Sequence, residues 1–169
     1  MAENGVLGLY TCDPRSVFFF DSFHIPRRLK RIYNKNPLKI TVDKAFIDVV
    51  HKCRENRPEW INEDLVSIYS ELYSLGYAHS FEAWDSEELV GGIFGTCFGS
   101  AFLAESMFHL QTHASNICLV YMMEWLEKKS FHFCDIQYAN EHTNRFNPTE
   151  VPLIQFNKML KKALERKPL

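Results

Sequence analysis

Two carboxylates interrupt the most apolar part of this chain. Between Leu89 and Gln137 the sequence runs through LVGGIFG, AESMFH, an apolar segment starting at Ala114, and FHFCDIQ. Glu105 stands inside the apolar run Ala101 to Phe108, and Asp135 closes the run Phe131 to Ile136. An ionised carboxylate in an apolar surround costs several kcal/mol unless it is paired or hydrogen-bonded. That is a large fraction of the stability of a whole domain. A chain that keeps two such acids is expected to use at least one.

The 169 residues are most naturally one domain, or one domain with a small appendage, because 46% hydrophobic content and 14 Phe can fill a sizeable core. Met1 to Tyr10 lacks a basic segment followed by an apolar stretch. No run approaches the roughly 18 to 20 apolar residues of a membrane span, so no membrane partner and a cytoplasmic location are expected. The five cysteines, Cys12, Cys53, Cys97, Cys118 and Cys134, are odd in number, widely spaced and without a CxxC pair. They read as buried free thiols in a reducing compartment, and no metal or other cofactor is expected.

The net charge of −2 is unevenly divided. Residues 1 to 57 hold eleven Lys and Arg against six Asp and Glu, while residues 58 to 169 hold eight against fifteen. The basic excess peaks at Pro26 to Lys35, PRRLKRIYNK. On a short helix there, Arg27, Lys30 and Arg31 lie on one face, with Leu29 and Ile32 toward the core. A solvated face explains such a charge run as well as contact with a phosphate backbone does.

Periodicity and turn signals predict an alternating α/β order. Val17 to Phe20 and Lys39 to Val42 read as strands, with a helix over Pro26 to Tyr33 between them. Asp43 to Glu55 is predicted helical, as is a segment capped by Asn62 that runs to Leu75 and stops at Gly76. Strands over Ala78 to Trp84, Leu89 to Phe98 and Ala101 to Met107 form a meander with a turn at Asp85 to Glu87. Ala114 to Lys128, apolar nearly all round, is a buried helix. A strand over Phe131 to Gln137 and an amphipathic helix over Pro152 to Lys167 complete the chain. This order suggests an α/β, N-acetyltransferase-like fold, a mixed sheet with flanking helices.

An acyl-CoA donor would need a glycine-rich phosphate cradle at the start of a helix. Here the glycines lie upstream, in a hairpin, and HLQTH precedes the Ala114 helix. Glycines inside strands more often mark bulges or close backbone approach, so acetyl-CoA is disfavoured. Strand alternation puts Phe131, Phe133, Asp135 and Gln137 on one face and His132, Cys134 and Ile136 on the other. A hydrogen-bonded Asp135 could fix Gln137 with its carbonyl oxygen toward an incoming amine. On base rates alone the plainer reading is favoured, that both are ordinary polar groups at a strand end, and Glu105 could be a carboxylate satisfied by backbone donors. His79 and Ser80 come with no GxSxG elbow.

The ordered set CDPR (Cys12 to Arg15), FHIPRRLKR (Phe23 to Arg31), WI (Trp60, Ile61), GYAHSFEAW (Gly76 to Trp84), ELVGGIFG (Glu88 to Gly95), AESMF (Ala104 to Phe108), HAS (His113 to Ser115) and DIQYANEHT (Asp135 to Thr143) resembles the leucyl/phenylalanyl-tRNA–protein transferases. The resemblance covers most of the chain from about Leu9. It implies an N-acetyltransferase-like enzyme that takes Leu, Phe or Met from aminoacyl-tRNA. The acceptor is a protein with N-terminal Arg or Lys, which the transfer marks for N-degron proteolysis. Such a donor also accounts for the missing CoA cradle.

Carried over residue by residue, the resemblance makes Asp135 and Gln137 the pair that positions the acceptor amine. Glu105 and Ser115 bind the aminoacyl-adenosine end, and Trp60 stacks on its adenine, a contact worth about 1 to 3 kcal/mol by analogy with other base stacking. Phe102, Ile93, Leu119, Met122 and Cys134 wall the amino-acid pocket, while Arg27, Arg31 and Asn34 meet the acceptor stem. Residues 1–60 are then a basic, tRNA-contacting portion and 61–169 the catalytic domain, or the two form one compact unit. The chain departs from the pattern in several places. Leu9 and Tyr10 stand where tryptophans are expected, Asn34 and Asn116 where lysines are, Ile93 for methionine, and Cys134 for a larger aliphatic. Asn144 to Pro148 replaces an SLGA-like stretch. Two other function classes stay open: an acyltransferase with another donor, and a tRNA- or degron-binding homologue without turnover.

Overall fold

The computed structural model describes residues 11–35, 37–55 and 60–166 in full, and the backbone alone at 2–3, 6–7 and 56. Leu9 and Tyr10 lie outside the described residues. Ala2–Glu3 (β1) and Val6–Leu7 (β2) pair antiparallel as a separate ribbon. Then come β3 (Arg15–Phe18), α1 (Arg27–Asn34) and β4 (Lys39–Val42), followed by α2 (Phe46–Asn56) and α3 (Glu63–Ser74). The meander is β5 (Ala78–Asp85), β6 (Glu88–Phe98) and β7 (Ala101–His109). After it lie α4 (Ala114–Lys128), β8 (Phe133–Asp135), α5 (Glu141–Asn144), β9 (Thr149–Val151) and α6 (Leu153–Ala163).

Local chemistry explains most boundaries. Asn62 caps α3 by accepting the Leu65 N–H at 3.0 Å, and Gly76 follows that helix at φ +78, where a side chain would be strained. Asp43 does not start α2 as the helical periodicity predicts. It takes φ +58, and its carboxylate accepts the Ser80 N–H at 2.8 Å and pairs with His79 Nδ1 at 2.7 Å, so the helix begins at Phe46. Burial works against a charged His79, but the Asp43 carboxylate and the Cys97 side chain together outweigh it and raise the ring to about 9. The last helix ends at Ala163, short of Lys167, which lies outside the described residues.

The seven main strands lie in the order β4-β5-β6-β7-β8-β3-β9. Every neighbouring pair is antiparallel except β7 and β8, which run parallel. One face is covered by α4 and α1, whose side chains join Phe81, Ile93, Phe102 and Cys134 in the largest core cluster. The other face carries two clusters, one under α2 and α3 around Phe94 and Phe108, the other under α6 around Phe133 and Phe156. This mixed sheet between helical layers is the α/β, N-acetyltransferase-like architecture that the order of elements predicts. Four free cysteines are buried, and Cys12 is half-buried. Among the described residues no helix is long and apolar enough to cross a membrane.

Candidate active site

β8 pairs with only the first three residues of β7, Ala101 to Leu103, and beyond them the two strands part. At this fork β7 carries a bulge. Gly95 pairs with Ala104 and Phe94 with Ser106, so Glu105 is the extra residue opposite no partner. A bulge turns two consecutive side chains to the same face and re-aims them. Gly95 is needed there, because a Cβ on it would lie 2.6 Å from the Phe102 ring. Glu105 therefore projects onto the face of α2, α3 and α6, in the seam between the two clusters on that side.

The strand predicted over Phe131 to Gln137 is shorter than its alternation suggests. Phe131 packs in the α4-side cluster and Phe133 in the α6-side cluster, so the two do not form one aromatic floor. After Asp135 the chain turns, with Gln137 at φ +67. Asp135 Oδ1 accepts the Gln137 N–H at 2.9 Å, and the Ser16 N–H donates to the Gln137 carbonyl at 2.9 Å. Gln137 thus comes beside Glu105 by a turn rather than by strand alternation. Its Nε2 donates to Glu105 Oε2 at 3.2 Å. The side-chain carbonyl Oε1 is left pointing away, with no partner among the described residues.

Both acids have the partners that burial demands. Asp135 is fully buried and is forked by Arg15, whose Nε lies 3.2 Å from Oδ2 and whose second nitrogen forms an ion pair with the same oxygen. Arg15 in turn lies over the Phe156 ring of α6, 4.6 Å from its centroid. Glu105 accepts from Tyr69 Oη, Thr96 Oγ1 and Gln137 Nε2, each at 3.2 Å. Burial pushes the Glu105 carboxyl up, and the Asp135 charge adds to this, while the three hydrogen bonds oppose it. Burial likewise raises Asp135 against the pull of Arg15 and the Gln137 N–H, and it raises Tyr69 beside Glu105. Among the described residues no group of His, Cys, Asp and Glu could hold a metal ion.

Trp60 is half-buried against the α2/α3 cluster, on the same face as Glu105. Phe102, Ile93, Leu119, Met122 and Cys134 fall together in the α4-side core, none more than 1% exposed. Adjacent residues of a strand alternate, so Cys134 and Asp135 serve opposite faces of the sheet. Ser115 lies at the start of α4, its hydroxyl 3.4 Å from His109 Nδ1. Arg27, Arg31 and Asn34 are exposed on α1, which packs on α4 away from Glu105. Asn34 also borders a cavity of about 660 Å³ between α1, β4 and α4. Asn116, in the place of an expected lysine, receives a guanidinium from elsewhere: Arg145 donates to its Oδ1 at 2.8 Å.

Sequence reasoning missed the partners Arg15, Tyr69 and Thr96. Arg15 carried a signal, since it sits in the CDPR motif, but its partner is 120 positions away.

The family model described as leucyl/phenylalanyl-tRNA protein transferase matches residues 17–161. A leucyl/phenylalanyl-tRNA–protein transferase of Akkermansia muciniphila is 44% identical, over 96% of this chain and 86% of its own. One from Salinibacter ruber is 36% identical over 98% and 74%. Among solved structures, L-PGS from Bacillus licheniformis shares the fold at 12% identity, with a TM-score of 0.55 over 92% of this chain and 66% of that one. A family model spanning most of the chain and relatives above one-third identity along nearly its whole length agree: the chain belongs to the leucyl/phenylalanyl-tRNA–protein transferase family.

Proposed function

We propose that Gln137 aligns the acceptor amine for attack on an aminoacyl ester, with Asp135 as the residue that positions it. The observation that carries this reading is the tethering of Gln137. Its N–H is held by Asp135 and its Nε2 by Glu105, which leaves Oε1 free to accept a hydrogen bond from an amine. The acceptor nitrogen attacks the ester carbonyl carbon, a C–N bond forms, the C–O bond to the ribose 3′ oxygen breaks, and the amine proton ends on that oxygen. An aminoacyl ester is already activated, so alignment of the amine supplies much of the acceleration.

On this reading Glu105 and Trp60 hold the aminoacyl-adenosine end on the α2/α3 face. Ser115 contributes from the start of α4. Phe102, Ile93, Leu119, Met122 and Cys134 receive the amino-acid side chain through the fork between β7 and β8. Such a wall suits Leu, Phe and Met and rejects charged residues, whose unpaired burial costs several kcal/mol. Discrimination among those three is modest, because one or two methylenes are worth only about 1 to 3 kcal/mol. The acceptor is a protein with N-terminal Arg or Lys, the setting is the cytoplasm, and residues 1–60 contact tRNA through Arg27, Arg31 and Asn34.

The test is transfer of labelled Leu, Phe and Met from their tRNAs to a peptide with N-terminal Arg. Gln137→Ala should lower turnover by about 10² to 10³, the usual cost of losing one positioned hydrogen-bonding group, with tRNA affinity retained. Wild-type turnover in that variant would remove Gln137 from the chemistry. Tight tRNA binding by the wild type with no transfer would mark a binding homologue, and stabilisation by acetyl-CoA would mark a different donor.

A further inference from the structure

Ser106 has no role in the site described so far and no hydrogen-bond partner among the described residues. It follows Glu105 in the β7 bulge and pairs with Phe94, so its side chain lies on the same face as the Glu105 carboxylate. The residue is 9% exposed, and its hydroxyl has no partner among the described residues. Its cross-strand partner Phe94 and the next residue of β7 on that face, Phe108, are apolar. A buried orphan hydroxyl is a net cost that alanine would avoid. Folding therefore gains nothing from this oxygen.

The position of Ser106 suggests what does gain. β8 ends before it reaches this part of β7, so the strand edge beside Ser106 faces the fork. A serine hydroxyl moves between three staggered positions by one torsion, and one such rotation can turn Oγ toward that edge. Glu105 has already committed its oxygens to Tyr69, Thr96 and Gln137. Ser106 is the uncommitted polar side chain next to it. A 3′-aminoacyl ribose carries one free hydroxyl beside the scissile ester, at the 2′ position, and that hydroxyl both donates and accepts, as serine does.

We infer that Ser106 is a donor-positioning residue whose hydroxyl bonds the ribose 2′-hydroxyl of the aminoacyl-adenosine end. The inference rests on the aminoacyl-tRNA reading of the Glu105 site. It makes the site selective for ribose over deoxyribose, and it accounts for a polar atom that the fold itself leaves unused.

The test uses two stable amide analogues, 3′-phenylalanylamino-3′-deoxyadenosine and its counterpart lacking the 2′-hydroxyl. Binding of each to the wild type and to Ser106→Ala is measured by calorimetry. The wild type should prefer the 2′-hydroxyl form by roughly 3- to 10-fold, the equivalent of one net hydrogen bond. Ser106→Ala should lose that preference, bind the hydroxyl form more weakly by the same factor, and melt no lower than the wild type. In transfer assays its effect should fall on the KM for the donor with kcat kept, which a merely structural loss would not produce. A wild type that binds both analogues equally, or a variant that keeps the preference, overturns the role of Ser106 and leaves the transferase reading standing. A wild type that binds neither overturns both.

Discussion

Glu82 is as buried as Asp135, and its partners are of a different kind. Its carboxylate accepts from Thr41 Oγ1, Ser80 Oγ and the Ala45 N–H, so the fold alone satisfies it and ties β4 and the start of α2 to β5. Glu105 differs in that one of its donors, Gln137, keeps a side-chain oxygen with no partner among the described residues. Glu105→Gln should separate stability from function. Because the folded-state carboxyl is raised, its favourable contribution is present at low pH and is lost as pH rises through that raised value. At neutral pH the wild type therefore bears the cost of keeping a largely buried acid. The amide keeps an oxygen for Tyr69 and Gln137 and turns its NH₂ to Thr96 Oγ1, which can accept. Thermal melts at pH 7.5 should show the variant higher by about 2 to 4 °C, the equivalent of about 1 kcal/mol in a chain of this length. The advantage should vanish near pH 4, and transfer should fall. An unchanged or lower melting temperature at neutral pH would mean that the three hydrogen bonds fully offset the burial.

At the scale of elements, much was legible. β4 and α4 have the limits that periodicity predicts, and the Asn62 cap and the Gly76 stop are where turn chemistry puts them. The end of β8 was not legible. Nothing in FHFCDIQY marks Gln137 for a positive φ; that turn is held by the Asp135 carboxylate and by the Ser16 N–H of a strand more than 100 positions earlier. The bulge at Glu105 was hidden for the same kind of reason, since it is a property of register between β6 and β7. Helix α1 makes a separate prediction. Its Arg27 and Arg31 are exposed and in no ion pair among the described residues, on the far side of the sheet from Glu105. If both meet phosphates, the double variant Arg27→Ala/Arg31→Ala should flatten the slope of log tRNA affinity against log salt by roughly two, whatever amino acid is attached. An unchanged slope would leave α1 as a solvated face.

Across the whole molecule, Arg15 is the residue that joins distant parts of the chain. It lies in β3, pairs with Asp135 of β8 and rests on Phe156 of α6. Arg15→Ala leaves a buried carboxylate without its cation, which should cost about 3 to 5 kcal/mol in urea denaturation at pH 7. Adding Asp135→Asn should restore much of that loss, because the uncompensated charge is gone. Additive losses in the double variant would contradict this account of the pair. The sheet that Arg15 helps to hold together also acts as a partition. Cys134 faces the apolar core beside α4 while its neighbour Asp135 faces the polar cluster, one peptide unit away on the other side. If the proposed assignment holds, with the amino acid received on the α4 side and the amine aligned by Gln137 on the other, cargo and chemistry sit on separate dials. Substitutions among the α4-facing side chains would then widen or narrow the range of amino acids attached to a protein's N-terminus, non-natural ones included, without disturbing the groups that form the bond.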